Sequence, residues 1–188
     1  LSVGAKMVYI STDYVFPGTG DTPYDIGDAY GPKNVYGVSK VQGEDAVRSL
    51  VKRFFILRTS WVFGKHGTNF VRTMLRLGAE KKELRVVSDQ VGSPTYAVDL
   101  ARVICDMIPT EKYGIYHVRN EGFLSWADFA SMIMEKAGLS CRIVPVPTSE
   151  YPALARRPLN SRLNGSKLQE SGFAPMPTVE DALDRFLA

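Results

Sequence analysis

Short apolar runs punctuate this chain at residues 5–11, 53–58, 84–87 and 114–118. Brief runs of this kind, bounded by polar turns, predict strands buried on both faces, as in a parallel sheet. Amphipathic stretches lie between them. One helix is predicted from Tyr36, with Val41, Ala46, Val47 and Leu50 as its apolar side. A second, capped by Thr68 or Asn69, runs to about residue 82 with Phe70, Met74, Leu75 and Leu77 apolar. A third covers 96–108, with Val98, Leu100, Ala101, Ile104 and Cys105 at core spacing. Ser125 and Asp128 form a capping-box pattern that opens a helix from Trp126, and Gly138 closes it. Short helices follow at 166–171, closed by Gly172, and from Thr178 to Leu187. Residues 142–147 alternate and contain proline, which predicts an edge strand or extended segment. Residues 17–32, 88–95 and 148–165 predict loops and turns. Strand, helix, strand in this order implies parallel crossovers and an α/β fold.

Composition narrows the function classes. A net charge of +3 without a basic stripe makes nucleic acid and anionic membrane poor partners. No apolar run reaches the roughly 18 residues that a membrane span requires. The 2 cysteines, Cys105 and Cys141, form neither a disulfide framework nor a metal-ligand cluster. Cys105 is expected buried on a helix face, as free thiols commonly are. His66 and His117 are too isolated to suggest zinc, so no metal ligand is assigned. The cytoplasm, as a reducing compartment, is the simplest location.

Candidate chemistry begins at Tyr36 and Lys40. Residues four apart share a helix face, so a phenol and an ammonium can point into one cleft. A fixed positive charge nearby favours the phenolate, which suits general acid–base work. The spacing alone is a weak signal. Ser11, Thr12 and Asp13 end the first strand, where open α/β sheets place ligands, although a simple strand-end turn would use the same residues. Thr59, Ser60 and Trp61 end the second strand in the same way. Trp126, at a helix start, reads as packing.

These segments, in this order, resemble the extended short-chain dehydrogenase/reductases that act on nucleotide sugars. The matching segments are residues 9–16 (Tyr-Ile-Ser-Thr-Asp-Tyr-Val-Phe), 34–40 (Asn-Val-Tyr-Gly-Val-Ser-Lys), 57–63 (Leu-Arg-Thr-Ser-Trp-Val-Phe), 89–95 (Asp-Gln-Val-Gly-Ser-Pro-Thr) and 157–163 (Arg-Pro-Leu-Asn-Ser-Arg-Leu). Within that superfamily they look most like the dTDP-4-dehydrorhamnose reductases of dTDP-rhamnose and polysaccharide biosynthesis. The resemblance implies the C-terminal part of a Rossmann-like doubly wound parallel sheet plus a small α/β substrate-binding region. Residues 1–65 and 89–118 would form the former, and 66–88 and 119–188 the latter. It implies NADPH- or NADH-dependent reduction of the C4 keto group of dTDP-4-dehydro-L-rhamnose. Tyr36 would be the proton donor, Lys40 would support it and bond the nicotinamide ribose, and Thr12 would bond the reacting oxygen. Asp13 and Trp61 would contact substrate, Gln90 and Arg157 the nucleotide or diphosphate, and Thr59 and Ser60 would lie beside the nicotinamide. The family also admits a homodimer, sometimes with Mg2+ between subunits, but no acidic cluster in the sequence places an ion.

The departure from the pattern is the absence of the Gly-rich strand–helix turn that seats the dinucleotide phosphates. The chain starts without Met, close to a strong strand, and is expected to be the later part of a longer protein. These residues alone are expected to bind NADPH poorly and to be inactive. Two alternatives stay open. One is a non-catalytic partner like the regulatory β subunit of methionine adenosyltransferase, although Trp61 after Arg58, Thr59 and Ser60 favours the reductase. The other is an enzyme acting on a different nucleotide 4-keto sugar. Tyr14 after the Ser-Thr-Asp strand end, where a dehydratase would carry Glu, makes a 4,6-dehydratase a poor match.

Overall fold

The computed structural model describes residues 3–151 and 157–188. The part of the expected loop over residues 152–156 lies outside them. Strand β1 (Met7–Thr12) passes through a 3-10 turn (Asp13–Val15) and a long loop into α1 (Val35–Leu50). Next come β2 (Phe54–Thr59), β3 (Val62–Phe63), α2 (Phe70–Glu80) and β4 (Glu83–Val87). Short strands β5 (Val91–Gly92) and β6 (Thr95–Tyr96) lead to α3 (Ala97–Met107) and β7 (Gly114–His117). Then follow β8 (Leu124–Ser125), α4 (Trp126–Lys136), β9 (Arg142–Val146), a 3-10 turn (Thr148–Glu150), β10 (Asn160–Ser161), α5 (Ser166–Glu170) and α6 (Val179–Leu187).

The central sheet is parallel, in the order β1-β2-β7. Ser11 pairs with Arg58, and Arg58 with His117, so these three side chains share one face. That face carries α1, through Ser11 and Arg58 bonds to Glu44. The opposite face presents Val8, Phe55, Leu57 and Tyr116, which pack with Leu100, Val103 and Met107 of α3. Helices on both faces of a parallel sheet make the doubly wound arrangement. A second apolar cluster joins α2, α4 and α6 over β4, built on Met74, Phe129, Ile133, Leu183 and Phe186. The capping box appears as expected, with Ser125 Oγ accepting from the Asp128 amide and Asp128 accepting from the Ser125 amide.

Several expectations require correction. Residues 88–95 are not a plain turn: β5 pairs with β8 and β10, and β6 pairs with β3. Strands this short carry no periodicity that could announce them. The expected loop over 148–165 likewise contains a 3-10 turn and β10. Cys105 is exposed, because the buried stripe of α3 is Leu100, Val103 and Met107, and residue 105 falls on the other side of the helix. Val98 is exposed for the same reason. Helix α1 buries Gly37, Glu44 and Val47, while Ala46 and Leu50 stay exposed.

Glu44 is the unexpected core residue. The Arg58–Glu44 pair is bidentate, Nε to Oε1 at 2.9 Å and Nη2 to Oε2 at 2.7 Å, and both side chains are essentially inaccessible to solvent. Ser11 and Tyr30 hydroxyls donate to the same carboxylate at 2.5 and 2.7 Å. Burial pushes the Glu44 carboxyl up, but the hydrogen bonds and charge of Arg58 outweigh it and hold the group below its ordinary range. Breaking one half of such a pair strands the other charge. Arg58→Met is therefore expected to cost about 3–5 kcal/mol in urea unfolding. The double replacement Arg58→Met with Glu44→Leu is expected to cost clearly less than that single change.

Candidate active site

The site assembles at the carboxyl ends of β1 and β2. Thr12 ends β1; its Oγ1 accepts from the Tyr14 amide at 3.2 Å and donates to Asp13 Oδ1 at 3.0 Å. Helix α1 starts beside this turn, capped by the Asn34 side chain, which accepts from the Gly37 amide at 2.8 Å. Gly37 permits the approach, since a Cβ there would fall 2.4 Å from the Tyr14 carbonyl oxygen. The first helical turn thereby delivers Tyr36 to the strand end, edge-on to the Tyr14 ring at 5.6 Å.

Tyr36 is half exposed, at 50%. Lys40 lies on the same helix face, its Nζ 5.9 Å from the Tyr36 ring centroid. Its ammonium donates to the Ile10 carbonyl at 2.9 Å and sits 5.1 Å from the Tyr9 ring centroid. Thr12, Asp13, Tyr36, Lys40, Thr59 and Trp61 together line a cleft of about 340 Å³. The Thr59 hydroxyl is buried there without a hydrogen-bond partner among the described residues, whereas the Ser60 hydroxyl donates to the Ser93 carbonyl at 2.7 Å.

Asp13 is buried, and its Oδ2 makes no hydrogen bond of ordinary geometry. Burial pushes its carboxyl up to about 6, against the lowering effect of the Ser161 and Thr12 hydroxyls and its own amide. His117, below the Arg58 side chain, is pushed down to about 3 by burial and by the Arg58 charge. Its Nδ1 lies 3.1 Å from the Asn164 carbonyl, which can only accept, so Nδ1 carries the proton and the ring is neutral.

A second, larger cavity of about 1110 Å³ adjoins the cleft. Gln90 and Arg157 both line it, and neither lines the small cleft. Gln90 is buried and donates to Thr148 Oγ1 at 3.0 Å; Arg157 is exposed and its charge acts on the Tyr14 phenol. Tyr14 and Trp126 border both spaces. Trp126, expected to pack, does pack on Trp61 and Phe70, and it also borders both spaces. The capping box just before it announces only a helix start, and its stacking partner lies 65 positions away in the chain, Trp61. Among the described residues no group of three or more His, Cys, Asp or Glu side chains gathers to hold a metal ion. No helix among them is long and apolar enough to cross a membrane.

The family model for the RmlD substrate binding domain matches residues 1–188. The chain belongs to that family. It is 49% identical over 173 residues to the spore coat polysaccharide biosynthesis protein SpsK of Bacillus subtilis, covering 92% of this chain and 61% of that protein. It is 42% identical over 196 residues to the dTDP-4-dehydrorhamnose reductase of Shigella flexneri, covering 98% and 66%. A crystal structure of dTDP-4-dehydrorhamnose reductase from Bacillus anthracis in complex with NADP superposes with a TM-score of 0.94 at 48% identity, over 99% of this chain and 66% of that one. The chain thus spans just under two thirds of the length of these relatives. A dTDP-glucose 4,6-dehydratase from the same organism shares the fold, with a TM-score of 0.80 at 18% identity.

The Asp13 shift has a testable sign. Its folded value of about 6 exceeds the ordinary 3.8, so the fold favours the protonated form. The stability this contributes is complete below about 4 and lost as pH rises through about 6. Asp13→Asn, which keeps the shape and removes the charge, is expected to raise stability at pH 8 by about 1–3 kcal/mol. In urea unfolding curves, that gain is expected to vanish by about pH 4.

Proposed function

We propose that this chain carries the reaction centre and nucleotide-sugar site of an NADPH- or NADH-dependent reductase acting on the C4 keto group of dTDP-4-dehydro-L-rhamnose. The observation that carries the reading is the convergence of Tyr36, Lys40 and Thr12 on one cleft that opens beside a cavity large enough for a nucleotide. The names of the relatives support the substrate, and the NADP complex supports the cofactor. The division of residues 1–65 and 89–118 from 66–88 and 119–188 belongs to the same reading. Two separate apolar clusters support it, although Phe63, Tyr96, Leu168 and Met176 cross the boundary. A homodimer rests on the resemblance alone, and a cytosolic location on the two cysteines that form no disulfide framework.

The residues present fit the nicotinamide–ribose end of a dinucleotide at the cleft. Lys40 and Tyr36 would hold its ribose hydroxyls, and the unpartnered Thr59 hydroxyl offers a further contact. The dinucleotide, when bound, supplies the hydride that adds to C4. Tyr36 then donates its phenolic proton to the oxygen on which negative charge develops. Thr12 gives that oxygen a second hydrogen bond, turning its hydroxyl away from Asp13, where it donates in this structure. Lys40, anchored on the Ile10 carbonyl, keeps positive charge beside the phenol throughout. Trp61 and Asp13 shape the wall against which the sugar lies. Arg157 and Gln90, out in the larger cavity, hold the nucleotide and its diphosphate, to which a planar guanidinium is matched.

The test is turnover in the whole protein, followed by oxidation of NADPH with a dTDP-4-keto sugar. Tyr36→Phe is expected to lower kcat by roughly 10²–10⁴-fold with little change in KM. Unchanged turnover in that variant would sink the assignment. Absence of turnover in the parent protein, with dTDP still bound, would favour the non-catalytic partner.

A further inference from the structure

Trp61 is the one described non-glycine residue in the left-handed region, with φ 50°. A bulky side chain is unusual there and needs its surroundings to hold it. Its indole lies in a slot with two walls. One wall is Gly92 on β5, where an added Cβ would come within 2.9 Å of Trp61 Cε2 and 3.1 Å of Cζ2. The other is Trp126, stacked on Trp61 with ring centroids 3.5 Å apart and planes 9° from parallel. Phe70 of α2 backs Trp126 at 4.5 Å. The two indoles come from different parts of the fold: Trp61 follows the central strand β2, and Trp126 opens α4 behind its capping box.

Trp126 lines both the small cleft and the large cavity, whereas Trp61 lines the cleft alone. Tyr14 lines both spaces as well, so the stacked pair forms, with Tyr14, the boundary between them. A ligand whose sugar enters the cleft while its nucleotide fills the cavity must pass this boundary.

We propose that Trp126 is a positioning and specificity-determining residue for the sugar half of the ligand. It holds the Trp61 indole in its left-handed pose and closes the cleft on the cavity side. This rests on the nucleotide-sugar reading above. Gly92 serves the same end by leaving the space that the indole fills, where an added Cβ would also come within 2.9 Å of the Ser161 Cβ. Trp61 lines the cleft alone, so an effect passed from Trp126 through that indole acts more on a ligand that carries a sugar than on one that ends at the diphosphate.

A far-ultraviolet exciton couplet in circular dichroism, read as the difference between the parent and its Trp126 variants, reports the stack of Trp61 on Trp126. The parent is expected to show the couplet, and Trp126→Ala and Trp126→Phe to lose it. By calorimetric titration, Trp126→Ala is expected to weaken dTDP-L-rhamnose roughly tenfold, with dTDP changed less than about twofold, and Trp126→Phe to recover most of the loss. Gly92→Ala is expected to disturb the couplet and weaken the sugar nucleotide in the same selective way. A parent without a couplet, or equal weakening of both ligands by Trp126→Ala, would overturn the proposal. A parent that binds neither ligand would overturn the nucleotide-sugar reading itself, and this inference with it.

Discussion

The buried pair between Arg58 and Glu44 ties together β1, β2 and α1, the elements that carry Thr12, Thr59, Tyr36 and Lys40 of the candidate cleft. Arg58 stands on β2, Glu44 on α1, and the Ser11 hydroxyl brings in β1. The remaining donors of the guanidinium reach the Ile26 carbonyl at 3.0 Å and the Tyr30 hydroxyl at 3.1 Å, which pins the long loop leading into α1. His117, neutral and 3.5 Å from Nη1, completes the surroundings from β7. Arg58 also lies over the Phe16 and Tyr30 rings, at 5.0 and 5.2 Å from their centroids. Removing a charge pair from water is costly unless its remaining polar atoms are satisfied. Here they are, so the network fixes one arrangement of strand, helix and loop. Tyr36 lies two helical turns before Glu44, and its direction follows from where that helix is clamped.

Close approach does the rest of the positioning. Gly37 lets the first turn of α1 rest on the Tyr14 carbonyl, so the phenol reaches the end of β1. Gly92 lets the Trp61 indole lie against β5. In both cases a single methyl group would force the reacting wall apart. The polar atoms left unsatisfied among the described residues are correspondingly few, and two of them, Asp13 Oδ2 and Thr59 Oγ1, belong to residues of the cleft. Buried polar groups without partners are costly in a folded protein.

Much of the fold was legible from pattern. Long amphipathic stretches and caps such as Asn69, Ser125 and Thr178 act through neighbours in sequence, so the helices fell close to where they were expected. Short strands did not. Residues 91–92, 95–96 and 160–161 are strands only because distant partners lie alongside them. The exposed Cys105 shows the same limit: helical spacing names candidate faces, and packing chooses among them.

At the site, the sequence by itself determined which reactive groups share a helix face, because Tyr36 and Lys40 lie one turn apart on a regular helix, whatever surrounds it. It also placed Thr12 and Trp61 at strand ends, where ligands of open α/β sheets bind. Only the tertiary structure decided that a glutamate would be buried in α1 against a strand arginine, that Asp13 would be desolvated, and that Trp126 would stack on Trp61 between two cavities. These facts depend on groups far apart in the chain being forced into contact by close packing, and no local periodicity records such contacts.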